Sequence, residues 1–164
     1  MAHINDYKIL QNKCIKYYEL LNKEIPLVTP QKTDTDKARF GFYLYMIENI
    51  CNVKDIAEQI EIITDLDFNK CLLGSGHDDW GVDAVHIDPD ENKINLFNFK
   101  YREKFNPRKS QGVNETILSA KFVNAIVNEQ TGSLSGKVKD KADEVIKCLK
   151  SDQIWEFNLY VVSN

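Results

Sequence analysis

Two short runs in the middle of the chain hold the residue types that could do chemistry. In WGVDAVHI, Asp83 stands at the head of an apolar run, and in INLFNFK, Asn98 and Lys100 sit inside the next one. The DPDEN segment between them (88–92) reads as a turn, so the two runs form a β-hairpin from about Val82 to Tyr101. Side chains alternate along a strand, which sends Ile94, Leu96, Asn98 and Lys100 to one face and Asn95, Phe97, Phe99 and Tyr101 to the other. Asp83, Val85 and Ile87 share a face of the first strand, and a turn centred near Asp90 sets Asp83 almost opposite residues 97–99. An acid, an amide oxygen and an amine are thereby expected to converge on one point at the end of the hairpin. A lysine inside an apolar strand usually has a reason to be there.

The flanking elements must position these groups. At 164 residues with 43% hydrophobic content, the chain is expected to fold as one domain around one core. The stretch 4–25 carries Ile4, Tyr7, Leu10, Cys14, Tyr17, Leu20 and Leu21 on a helical stripe, and Pro26 and Pro30 end it. Thr33 to Asp36 offer N-caps for an apolar helix covering Phe40 to Cys51. DIAEQIEIITDL fits a short helix or a strand, and Asp55 as an N-cap favours the helix. GSGHDDWG reads as a loop. Beyond the hairpin come a basic loop, a helix over 113–128, a break at EQTGSLSG, and a helix over 138–149. The final IWEFNLYVVS reads as a buried strand. This order predicts an α/β fold, an αβα sandwich on a small mixed sheet with helices N-terminal and between strands. An apolar last strand with nothing after it to cover it fits the N-terminal fragment of a longer protein, or a small domain whose sheet edge lies there.

Charge narrows the function classes. The net charge of −4 gives no support to bulk electrostatic attraction to nucleic acid. Between Lys100 and Lys150, however, 11 Lys and Arg face 6 Asp and Glu, a net of +5. Within that half, KYREKFNPRKS interleaves Arg102, Lys104, Arg108 and Lys109 with Tyr101 and Phe105, a pattern suited to a nucleic-acid backbone or to a solvated loop. No apolar run approaches the ~18 residues of a membrane helix. The four cysteines form no CxxC pair, which suits reduced thiols in the cytoplasm. His77 and His86 lack a third ligand at zinc spacing. GSLSGK (132–137) is glycine-bearing and ends in lysine but lacks the spacing of a P-loop.

The segments DDWGVDAVHI and INLFNFKYR resemble the core of PD-(D/E)xK nucleases, where an Asp on one strand precedes (E/D/Q)-x-K on the next. They are closest to the N-terminal domain of the abortive-infection phage-resistance family, through Asp79, Gly81, Asp83, Lys100 and Tyr101. That resemblance implies a restriction-endonuclease-like fold and metal-assisted phosphodiester hydrolysis in phage defence, with Mg²⁺ or Mn²⁺ as cofactor. It makes Asp83 the main metal ligand, with the Phe99 carbonyl and the Asn98 oxygen beside it and Lys100 next to the attacking water. Glu48, on the preceding helix, and Asp79 are the further acids it offers. Asn98 departs from the family's Glu, Asp or Gln, being neutral and shorter than glutamine. The alternative expectations are therefore a catalytically degenerate nucleic-acid-binding module and a protein-interaction domain. Expected partners are DNA or RNA, with a homo-oligomer or C-terminal domains compatible with the pattern and no membrane.

Overall fold

The computed structural model describes residues 3–106 and 113–164, the side chains of 113–118 excepted. The expected Arg108 and Lys109 of the basic loop lie outside the described residues. Helices α1 (Ile4–Glu24) and α2 (Asp34–Cys51) pack against one another, with a close backbone approach at Gly41. A Cβ there would stand 1.7 Å from the Cys14 carbonyl oxygen, so glycine is what lets the two backbones meet. Thr33 caps α2 by accepting the Asp36 N–H at 3.1 Å. Two short helices follow, α3 (Ile56–Ile62) and α4 (Leu66–Leu73), each opened by an aspartate cap, Asp55 and Asp65.

The hairpin forms as its alternation requires. Strands β1 (Ala84–Asp88) and β2 (Lys93–Lys100) are antiparallel with Ala84 opposite Phe97. Asp88 holds the turn by accepting the N–H groups of Asp90 and Glu91, both at 3.1 Å. The chain then runs through α5 (Val113–Val127), a 3-10 turn (Thr131–Ser133) and α6 (Gly136–Leu149) to β3 (Glu156–Ser163), which pairs parallel to β2. The sheet order is β1-β2-β3.

Each face of the sheet is covered by its own core. Ala84, Phe97 and Phe99 pack beneath α1–α4 with Phe42, Tyr43 and Phe68. Val85, Ile94 and Leu96 pack against Phe122, Val138, Ala142 and Val145 of α5 and α6. The protein is thus an α/β fold with a three-stranded mixed sheet between helices, and it has two cores where one was expected.

Two expectations are corrected. Helix α4 was not anticipated, although Asp65, the spacing of Phe68, Cys71 and Leu72, and Gly74 at φ +77 outline it from cap to cap. The last strand is not buried but is an edge. Phe157, Leu159 and Val161, on the face shared with Ile94 and Leu96, remain 36–39% exposed because α5 and α6 cover β1 and β2 instead. Among the described residues no helix is long and apolar enough to cross a membrane.

Candidate metal centre

The site is built where β1 begins. After α3 the chain runs along the free side of the hairpin, and Ile63 forms an isolated antiparallel bridge with Ala84. The carbonyl of Asp83 accepts the N–H groups of Thr64 (2.8 Å) and Asp65 (3.0 Å), while its own N–H donates to the Phe97 carbonyl at 2.8 Å. The Thr64 hydroxyl closes the junction by donating to the Val82 carbonyl. Asp83 is thereby fixed through its backbone to the start of α4 on one side and to β2 on the other. Its buried carboxylate accepts the Phe99 N–H, a donor that the strand ladder would otherwise have to satisfy.

Two further acids arrive from the flanking loops. Asp65, also buried, caps α4 through the Phe68 N–H at 2.6 Å and receives the Tyr43 hydroxyl at 3.3 Å. Arg39 of α2 holds it at 3.5 Å and reaches the more exposed Asp67 at 3.1 Å. Asp79 is turned back by two successive left-handed residues, Trp80 at φ +56 and Gly81 at φ +77. It accepts the Gly81 N–H at 2.9 Å and the Leu66 N–H at 3.5 Å. The result is that Asp65, Asp79 and Asp83 each offer an oxygen within 4.8 Å of the others.

Burial is the first cause that raises all three carboxyls above the ordinary aspartate range. For Asp83, raised the furthest, the negative charge of Asp65 is the next cause, and the Phe99 N–H works against both. Tyr43, stacked at 4.8 Å on Phe99, is held protonated by burial and by the same acids. The three carboxylates share one guanidinium, which also serves Asp67, and a divalent cation would offset the negative charge that remains. All three offer hard oxygen donors of the kind Mg²⁺ and Mn²⁺ take. The residues present therefore fit such an ion.

The structure brings together Asp83 and Asp79 of the anticipated residues and adds Asp65. That residue escaped the sequence reading because an aspartate ahead of a helix already has a purpose as a cap. The other anticipated residues are not part of this cluster, and the expected meeting of the Asp83 carboxylate with the Asn98 amide does not form, because Asp83 turns toward Asp65 and Asp79. Asn98 is buried and donates to the Gly81 carbonyl at 3.2 Å, on the α5–α6 side, where the Ser119 hydroxyl meets the same carbonyl at 2.8 Å. Lys100 ends β2 on the exposed side, one residue beyond the N–H that Asp83 holds. Phe99 contributes its N–H to Asp83 and its ring to the first core. Glu48 is apart, its carboxylate accepting the Tyr17 hydroxyl at 2.6 Å. Arg102 and Lys104 follow β2, and the Arg102 carbonyl is tied to the Tyr7 hydroxyl at 3.0 Å. His77 and His86 are separated, the first against Ser135 and the second against Asn95. The chain matches no protein-family model, and no curated protein and no solved structure matches it either.

Proposed function

We propose that this chain is a divalent-cation-dependent nuclease domain that hydrolyses phosphodiester bonds, in DNA more readily than in RNA, with the restriction-endonuclease-like arrangement of the PD-(D/E)xK superfamily and a role in phage defence. The observation that carries the reading is the convergence of Asp65, Asp79 and Asp83 at the open end of the hairpin whose second strand ends in Lys100. Buried acids that repel one another are costly unless a cation or a proton joins them. Asp83 and its two neighbours would hold Mg²⁺ or Mn²⁺, whose chemistry is to make a bound water acidic and to draw charge from a phosphoryl oxygen. Arg39 and the Phe99 N–H keep two of the ligands aimed. Lys100 would take the charge of the scissile phosphate, and Arg102 and Lys104 would follow the strand's backbone.

The assay is nicking of supercoiled plasmid with Mn²⁺ by the wild type, Asp83→Asn and Lys100→Ala. Cation-dependent cleavage lost in both variants supports the reading. Cleavage by Asp83→Asn at the wild-type rate overturns it. A second reading has an observation of its own: β2 contains no acid to offer the centre, and Asn98 donates to the Gly81 carbonyl instead. A nucleic-acid-binding module of this kind would retard DNA in a gel, steeply dependent on salt, and leave it uncut.

A further inference from the structure

Asp79 borders two spaces. It belongs to the acidic cluster, and with Asp78, Trp80, Gly81 and Lys121 it also lines a cavity of about 290 Å³. Small-ligand clefts begin at roughly 300 Å³, so the space suits one flat ring rather than an extended ligand.

Trp80 is the apolar wall of this cavity. It is half-buried, packed on the second core to which Val82 and Phe122 belong, and it still lines the open space. Its backbone is left-handed, φ +56, and Asp78 Oδ1 holds it there by accepting the Trp80 N–H at 3.0 Å. An aromatic side chain backed by a core and bordering a cavity is a stacking platform.

The polar walls differ in kind. Both Asp79 oxygens are engaged, one by the Gly81 N–H and one by the Leu66 N–H. Asp78 is exposed and gives one oxygen to the Trp80 N–H, so its carboxylate has a second oxygen to offer a ligand. Lys121, exposed on α5, supplies a cation. An aromatic platform, a carboxylate acceptor and an amine together match a nucleotide whose base carries an exocyclic amino group.

We infer that the cavity takes one unpaired nucleobase bearing an exocyclic amine, cytosine or adenine, from a strand that passes the acidic cluster. The base stacks on Trp80, its amine donates to Asp78, and Lys121 meets the phosphate of the same nucleotide. Naming a nucleic-acid strand as the ligand rests on the nuclease reading above, and the cavity adds that the strand is unpaired at this point. A base inside a duplex is stacked between its neighbours and has no free face for the indole. The substrate class is therefore single-stranded or locally opened DNA.

The test is binding of short labelled oligonucleotides, oligo(dC), oligo(dT) and an abasic strand of equal length, followed by fluorescence anisotropy in chelator at low salt. Oligo(dC) is expected to bind at least about fivefold more tightly than the abasic strand, the worth of one stacked base, and to quench indole emission. Trp80→Phe keeps a ring and should retain the binding while losing the quenching. Trp80→Ala should bind oligo(dC) at least about fivefold more weakly. The wild type should prefer oligo(dC) to oligo(dT) by about fivefold or more. Asp78→Asn keeps an oxygen for the Trp80 N–H but presents an amide donor in place of the second oxygen, so that preference should vanish. Oligo(dC) bound no more tightly than the abasic strand or than oligo(dT), or bound equally by Trp80→Ala, overturns the inference even in a chain that nicks plasmid with Mn²⁺. Base-dependent binding by a chain that never cuts keeps the cavity's role and retires the nuclease reading.

Discussion

Replacing Asp83 with asparagine keeps an oxygen facing the Phe99 N–H and removes a charge, so it isolates the electrostatics of the centre. At a separation of 4.8 Å and an effective dielectric constant of about 20, two ionised carboxylates repel by about 3.5 kcal/mol. Asp83 takes part in two of the three pairs, a burden of about 7 kcal/mol if every acid ionises, before Arg39 offsets part of it. Burial and this repulsion raise the Asp83 pKa, which widens the pH range over which its protonated form is favoured when no cation is bound. A carboxyl raised in the folded state binds more protons there than in the unfolded chain. Stability is then full below the unfolded value of about 3.9 and declines as pH rises through the window up to the raised pKa. In a chelator, wild-type melting temperature should therefore fall from mildly acidic to mildly alkaline pH, and Asp83→Asn should show a flatter profile and melt higher at the alkaline end. Mn²⁺ at one hundred times its dissociation constant should add about 2.7 kcal/mol to the wild type. For a chain of this size that is a rise of about 5–11 °C in melting temperature, absent in Asp83→Asn. Scanning calorimetry over a pH series, with chelator and with Mn²⁺, measures all of this. An equal Mn²⁺ response in the variant, or a wild-type profile that rises with pH in chelator, would refute the reasoning.

Gly41→Ala should cost about 3 kcal/mol or more, seen as a lower urea midpoint, because the new methyl meets the Cys14 backbone and the α1–α2 pair must separate. Asn98→Asp should lose about 1–3 kcal/mol by setting a carboxylate against the Gly81 carbonyl, without tightening Mn²⁺ binding measured by calorimetric titration. Burial pushes the Cys14 thiol up to about 12, so it should resist iodoacetamide at pH about 8 in the folded chain and react once urea unfolds it, as mass spectrometry of the alkylated peptides would report.

Much of this architecture is readable from spacing. The hairpin and its register follow from the alternation in INLFNFK and the Asp88 turn, and helices α1, α2, α3, α5 and α6 follow from caps and apolar periodicity. Helix α4 escaped because it is short and its cap, Asp65, lies at the end of an already ambiguous run. The burial of β3 was misjudged because an apolar sequence specifies a strand but not how far the neighbouring helices extend over it. The site was half legible. Alternation sends Asn98 to the α5–α6 side, but Asp83 stands just ahead of β1, where the period of two does not yet hold. Val82 and Val85, three positions apart, enter one core while Ala84 enters the other, so the alternation breaks between Val82 and Ala84 and the acid faces Asp65 and Asp79. No local pattern links residues 65, 79 and 83, because a bridge at Ile63 and a left-handed loop bring them together.

The grip of the Asp83 side chain on the Phe99 amide makes one carboxylate serve two masters. One oxygen stitches the margin of the sheet, and the other takes no hydrogen bond among the described residues. An amide in its place would preserve the stitch and discard the anion. An exchange of carboxylate for amide at this one position can therefore take the charge out of the acidic cluster while keeping the scaffold, whereas removal of the whole side chain would unpick the seam as well.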